Sequence, residues 1–253
     1  MGKKLIGRKL AVSRLNGEDV QKKLRNLLIL TCCLFLGSCG RGPVTGKSDP
    51  AVAPFLDIDL SSEPIFPPLG KWLLYQDLAY ADWLGGKYLG KKIREPINVV
   101  IVDGFSQNPV QAVEKLLGEC KAAGYEEEYG HSSGYMGLID GVFYHQIPDN
   151  RHMAFANHDF FRTNNHGRII GPALFNGAYV FIAGFSTEKP TIFKGFRHLF
   201  VSFNRARNDF AVKLNGGPVY TISGSVVLGN RISTGELTTG DHDGRALVLQ
   251  AVE

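Results

Sequence analysis

The chain alternates between stretches of unbroken apolar, β-branched residues and stretches that repeat at the helical period. INVVIVD, from Ile97 to Asp103, is a continuous apolar run, which predicts a strand buried on both faces. Asn108 then offers a side-chain cap, with Pro109 at the first helical position. VQAVEKLLGECKAAG carries that helix to Gly124. Residues 71–84 (KWLLYQDLAYADWL) place Trp72, Leu73, Tyr75, Leu78, Ala79 and Trp83 mostly on one face of a further predicted helix, with Gly85 and Gly86 as stop signals. Met153–Ala156 and His166–Ile170 predict short strands. AYVFIAGFS, from Ala178 to Ser186, predicts a strong one. Residues 192–203 are β-like with aromatic alternation. RARNDFAVKL (Arg205–Leu214) predicts a short helix, and GPVYTIS, GSVVLGN and GRALVLQAV are β-rich. The expected fold class is α+β: a single domain with a mixed, twisted sheet and a few helices.

The amino-terminal pattern differs in kind. Lys22, Lys23 and Arg25 precede an apolar run of about ten residues, Leu27 to Leu36, too short to span a bilayer as a helix. Gly37 and Ser38 are small, and Cys39 follows. Leu36-Gly37-Ser38-Cys39 resembles the lipobox of bacterial lipoproteins. This order of charge, apolar run, small residues and Cys predicts an export leader over residues 1–38. Cys39 then becomes the lipid-bearing first residue of the mature protein. Palmitate and diacylglyceryl chains on it would form the membrane anchor. Residues 39–68, rich in Gly and Pro, read as a tether. Residues 69–253 are the folded domain. By resemblance to lipoprotein sorting signals, Gly40 after the Cys favours the outer membrane where the cell has one.

Charge follows this division. The whole chain has 28 Lys+Arg against 24 Asp+Glu. Removing the leader's eight basic and two acidic residues leaves 20 and 22, a net of −2. The basic balance thus belongs to the leader, and nucleic-acid binding is not expected. Cys32 and Cys33 go with the leader. With Cys39 acylated, Cys120 has no partner for a disulfide and reads as a small buried hydrophobe.

All seven histidines follow residue 38. Five of them (His131, His145, His152, His158 and His166) fall at irregular spacings, and no H-E-x-x-H or C-x-x-C pattern exists, so neither a metal nor a cofactor is assigned. The loop DGFSQNP after the first strand has one glycine and lacks both the dinucleotide fingerprint and the P-loop pattern. Asp241-His242-Asp243-Gly244 lacks the remaining calcium-loop ligands and reads as a hairpin turn. Glu126, Glu127 and Glu128 read as a solvated edge. Phe155, Phe160, Phe161, Phe175, Phe181 and Phe185 read as core. His166 and Arg168, two apart in a strand, face the same side. If they meet His198 and Asp209, they form a cationic pocket with a carboxylate, suited to an anion or to acid–base work. The alternative is a buried polar network joining sheet to helix.

The order of these pieces is familiar. PINVVIV with a helix ending AAGY, then RHMAFA, NNHGRII, FNGAYVFIAGFS, RHLFVSF with RNDFAVKL, and TTGDHDGRALVLQ together resemble the LssY C-terminal-like domain over residues 96–253. Two features depart from that pattern. Gly171-Pro172 follow Ile170 where an aromatic is usual, and Ser202-Phe203-Asn204 replace Asp-Pro-Asp-like residues. The resemblance implies a bacterial α+β domain without an assigned reaction.

The sequence therefore predicts a lipid-anchored envelope protein that binds a ligand or partner at the candidate residues His166, Arg168, His198 and Asp209. The alternatives are an envelope hydrolase, metal-assisted or not, using the same His and acids, and a scaffold of an envelope complex.

Overall fold

The computed structural model describes residues 66–147, 152–192 and 197–252. The leader, the lipobox with Cys39, and the tether up to residue 65 lie outside the described residues.

Fourteen strands and two helices are formed among the described residues. In chain order β1 is Leu74–Tyr75, β2 Asp82–Tyr88, β3 Lys91–Arg94 and β4 Val99–Asp103. Helix α1 (Pro109–Ala122) is capped by the Asn108 side chain, which accepts from the Gln111 N–H, with Pro109 opening its first turn as expected. Next come β5 (Glu126–Tyr129), β6 (Tyr135–Ile139), β7 (Val142–Ile147), β8 (Met153–Ala156), β9 (Asn164–Phe175), β10 (Ala178–Thr191) and β11 (Arg197–Ser202). Helix α2 is Phe203–Asn215, followed by β12 (Tyr220–Val227), β13 (Leu237–Thr238) and β14 (Arg245–Ala251).

Eleven strands form one sheet, with main order β1-β6-β7-β9-β10-β4-β14-β12. β11 pairs with β10, and β8 bridges β9 to β5. Only β4–β14 is parallel in this sheet, so it is mixed. A second, three-stranded sheet runs β13-β3-β2. The molecule has the α+β architecture that the residue pattern predicts.

β4 shows why its apolar run is continuous. Val99 and Ile101 pack under the helices with Leu116, Cys120, Phe181, Phe185 and Phe210. Val100 and Val102 pack on the other face with Leu73, Tyr135, Ile170 and Ile182. A strand covered on both sides needs apolar residues at every position. β6 closes the second face: a β-carbon on Gly137 would lie 2.9 Å from Ile182 Cδ1 and 3.2 Å from Ile170 Cγ2. Cys120 is buried and free, and burial pushes its thiol pKa up.

Two local expectations need correction. Residues 71–84 do not form a helix. Leu74–Tyr75 is a strand, the chain turns with Leu78 at φ 63°, and Asp82 begins another strand. Aromatic residues lose rotamer freedom in a helix and suit a pleated surface. Here they serve separate cores: Tyr75 packs beside Leu73 on the face over β4, while Trp83 packs with Ile93 and Phe203. Gly86 accordingly lies inside β2 rather than ending a helix. Asp243-Gly244 is not a hairpin turn, because β13 and β14 belong to different sheets. Asp241 instead caps α2, accepting from the Phe203 N–H at 2.7 Å, and Asp243 grips Arg207.

The loop after β4 is closed by its own acid. Asp103 Oδ1 accepts from the N–H groups of Phe105 (2.9 Å) and Ser106 (3.1 Å) and from Lys115 Nζ (2.9 Å). Among the described residues no helix is long and apolar enough to cross a membrane.

Candidate functional site

Strand alternation builds the site. β9 and β10 are antiparallel, with Glu188 opposite Asn164, Ser186 opposite His166 and Gly184 opposite Arg168. These six positions share one face of the sheet. β11 returns along β10 with His198 opposite Pro190 and Phe200 opposite Glu188, which carries His198 to the same face, diagonal to Glu188. His131 arrives from the loop between β5 and β6. That loop is bracketed by Gly130 and Gly134, both at positive φ, and held by the N–H groups of Gly130 and His131 donating to the His152 carbonyl.

Three imidazoles converge on one carboxylate. His131 Nδ1 lies 3.7 Å and His166 Nδ1 3.8 Å from Glu188 Oε1, and His198 Nδ1 lies against the same oxygen. The His131 and His166 rings stack at 4.6 Å. Phe160 stacks on His198 at 4.0 Å and meets His131 edge-on. One donor atom from each of His131, His166 and Glu188 lies within 4.8 Å of the other two. All four polar side chains are buried, His198 being the most exposed at 8%.

Asn164 orients the group. Its Nδ2 donates to the Arg162 carbonyl and to Glu188 Oε1, both at 3.2 Å, which turns its Oδ1 to His166 Nδ1 at 3.2 Å. Burial alone would raise the Glu188 pKa, but His166, His198 and His131 outweigh it and bring it down to about 2. Burial pushes His166 down to about 4 and His131 well below its ordinary value, with Arg168 adding to both. At neutral pH the site therefore presents an ionised carboxylate beside neutral His131 and His166.

Arg168 forms the adjoining compartment. Its Nη2 donates to Ser132 O (3.1 Å) and Oγ (2.9 Å), its Nη1 is 4.0 Å from Glu95 Oε2, and its guanidinium lies 4.6 Å from the Tyr135 ring centroid. Burial raises the Glu95 pKa, with Arg168 pulling the other way.

Of the residues singled out from sequence, His166, Arg168 and His198 thus come together on one face. Asp209 does not join them. It accepts from Tyr125 Oη (2.7 Å) and Asn165 Nδ2 (2.9 Å), and Asn165 alternates to the face opposite His166. Asp209 anchors α2 to the sheet and leaves the candidate site. His145, His152 and His158 are exposed and outside it. Glu188, His131 and Glu95 were not among the sequence candidates. Continued alternation from Gly184 through Ser186 was the one signal for Glu188. Phe160 was expected in the core and is the aromatic wall of the site.

No family model matches the sequence, and neither curated proteins nor solved structures yield a match to this chain.

Proposed function

We propose that the chain is a lipid-anchored envelope protein, tethered through Cys39, whose folded domain is a binding module. Its ligand is small and is held at the His131, His166, Glu188 and His198 cluster beside Arg168. The observation that carries this reading is the convergence of three imidazoles, from separate segments, on one buried carboxylate. In this reading residues 96–253 are an LssY C-terminal-like domain, supported by the H-G-R strand and the RHLFVSF strand, which supply His166, Arg168 and His198. Burial of every polar member favours retention of a compact ligand over turnover of a bulky substrate.

The test uses the whole lipoprotein, extracted from membranes in detergent and weighed under native and denaturing conditions. The reading expects a non-covalent mass increment on the wild type that Glu188→Gln loses while keeping its circular dichroism. A wild-type protein with no increment overturns it.

A further inference from the structure

We propose that His131, His166 and Glu188 bind a divalent transition-metal cation of the zinc class, with His198 seated against the same carboxylate. The inference rests on the binding-module reading and names its ligand.

The donor types select the metal. Two imidazoles and a carboxylate suit zinc and its neighbours, whereas calcium and magnesium demand shells of oxygen. The spacing is that of a ligand set slightly open: three donors sit within 4.8 Å of one another. Tetrahedral zinc with bonds of about 2.0–2.1 Å brings donors to roughly 3.3 Å apart. Small side-chain rotations close that difference.

The surroundings support a metal over a structural polar network. His131 turns Nδ1 to Glu188 at 3.7 Å, while its Nε2 is buried without a hydrogen-bond partner among the described residues, and an orphaned ring nitrogen calls for a polar partner or a cation. Glu188 is a buried, ionised carboxylate whose closest titratable neighbours are imidazoles, of which His131 and His166 are neutral at neutral pH. The nearby guanidinium of Arg168 is turned to Ser132 and Glu95. A cation at the centre would offset the cost of burying that carboxylate. Asn164 holds both His166 and Glu188, the outer-shell contact that fixes ligating groups. Phe160 covers His198 and flanks His131, which keeps the site dry.

The experiment takes the detergent-extracted lipoprotein, strips it with a chelator, and titrates it with Zn2+ and, separately, with Co2+. One equivalent of either ion is expected, with the intense visible bands of tetrahedral cobalt. Zn2+ should also raise the melting temperature of the wild type. His166→Ala and Glu188→Gln should each weaken binding by about a hundredfold or more, while His145→Ala, at an exposed histidine, binds as the wild type does. The wild-type titration stands even where a variant fails to fold. Absence of stoichiometric Zn2+ and Co2+ uptake by the wild type overturns the metal assignment, as does uptake that both site variants retain. If the native mass measurement shows a bound increment that is no metal, the metal falls and the binding module stands. If it shows no increment and no ion is taken up, both fall.

Discussion

Gly167 lies directly opposite Phe185 in the β9–β10 ladder, and a β-carbon on it would fall 2.4 Å from the Phe185 ring. That ring stacks on Phe210 of α2 at 4.0 Å. The middle residue of His166-Gly167-Arg168 thus lets a helix-side aromatic fill the space beneath two site residues. Gly167→Ala is expected to destabilise the domain by about 1–3 kcal/mol through overpacking. Chemical denaturation of wild type and variant checks this, and equal midpoints would show that Phe185 can move aside at no cost. Because His166 and Arg168 flank this position, the variant should also loosen the site.

Arg207 and Asp243 form a bidentate pair, with Nη1–Oδ1 at 2.7 Å and Nη2–Oδ2 at 3.0 Å, and Nη1 also donates to the Arg245 carbonyl. The pair pins α2 to the turn before β14. Asp243 is partly exposed, so its removal is screened. Asp243→Ala should cost about 1 kcal/mol, and Arg207→Ala more, about 2–3 kcal/mol, because a buried guanidinium stem and a carbonyl contact go with it. Thermal melts of the two single variants and the double variant give the coupling. Additive losses would mean that the pair contributes nothing as a pair.

How far the sequence reveals this arrangement can be traced residue by residue. The β4–α1 unit is legible because a strand covered on both faces must be apolar throughout, and because Asn108-Pro109 is a local cap. His166 and Arg168 are legible because period-two spacing fixes their common face. Glu188 is harder to see: after Ser186 the chain turns polar and contains Pro190, both of which argue against a strand. β10 nevertheless continues to Thr191. Its pairing to β9 ends at Glu188, and Pro190 then has β11 as its partner strand, a place where a residue without an N–H is tolerated. His131 comes from a loop, and only the long-range closure of β6 over the sheet brings it to Glu188. Residues 71–84 mislead because their aromatics mimic a helical stripe while packing into different clusters.

Cys39 carries the prediction about place. In the lipoprotein proposed above, its thiol would be the attachment point for acyl chains, each contributing about 0.8 kcal/mol per buried methylene, so that more than one chain would give durable anchoring. Cys39→Ala is expected to accumulate as unprocessed precursor without incorporated palmitate. Metabolic labelling and the mass of the amino terminus report it. Normal cleavage and an unchanged membrane fraction in that variant would remove the lipoprotein reading altogether.

His242 makes the fold sensitive to acid. Its Nε2 lies 2.7 Å from Asn230 Oδ1, and Asn230 Nδ2 donates to the Lys71 and Ile97 carbonyls, so Oδ1 must be the acceptor and His242 the donor. Nδ1 is then the unprotonated nitrogen, buried without a hydrogen-bond partner among the described residues. Burial, aided by Arg207 and opposed by Asp243 and Asp241, lowers its pKa to about 4. The unfolded chain takes up this proton near the ordinary value of about 6.5, the folded chain only near 4. Stability from this group is therefore complete above the unfolded value and falls as pH drops between the two, by about 2 kcal/mol at pH 5. Glu95, whose pKa is raised by burial, acts in the opposite sense, so the measurement must isolate His242. His242→Gln can keep a donor to Asn230 but cannot titrate. It should be less stable than the wild type at pH 7, and the gap should narrow by about 2 kcal/mol on going to pH 5. Denaturation curves at both values decide it, and a constant gap would mean that His242 is not the group that senses acid.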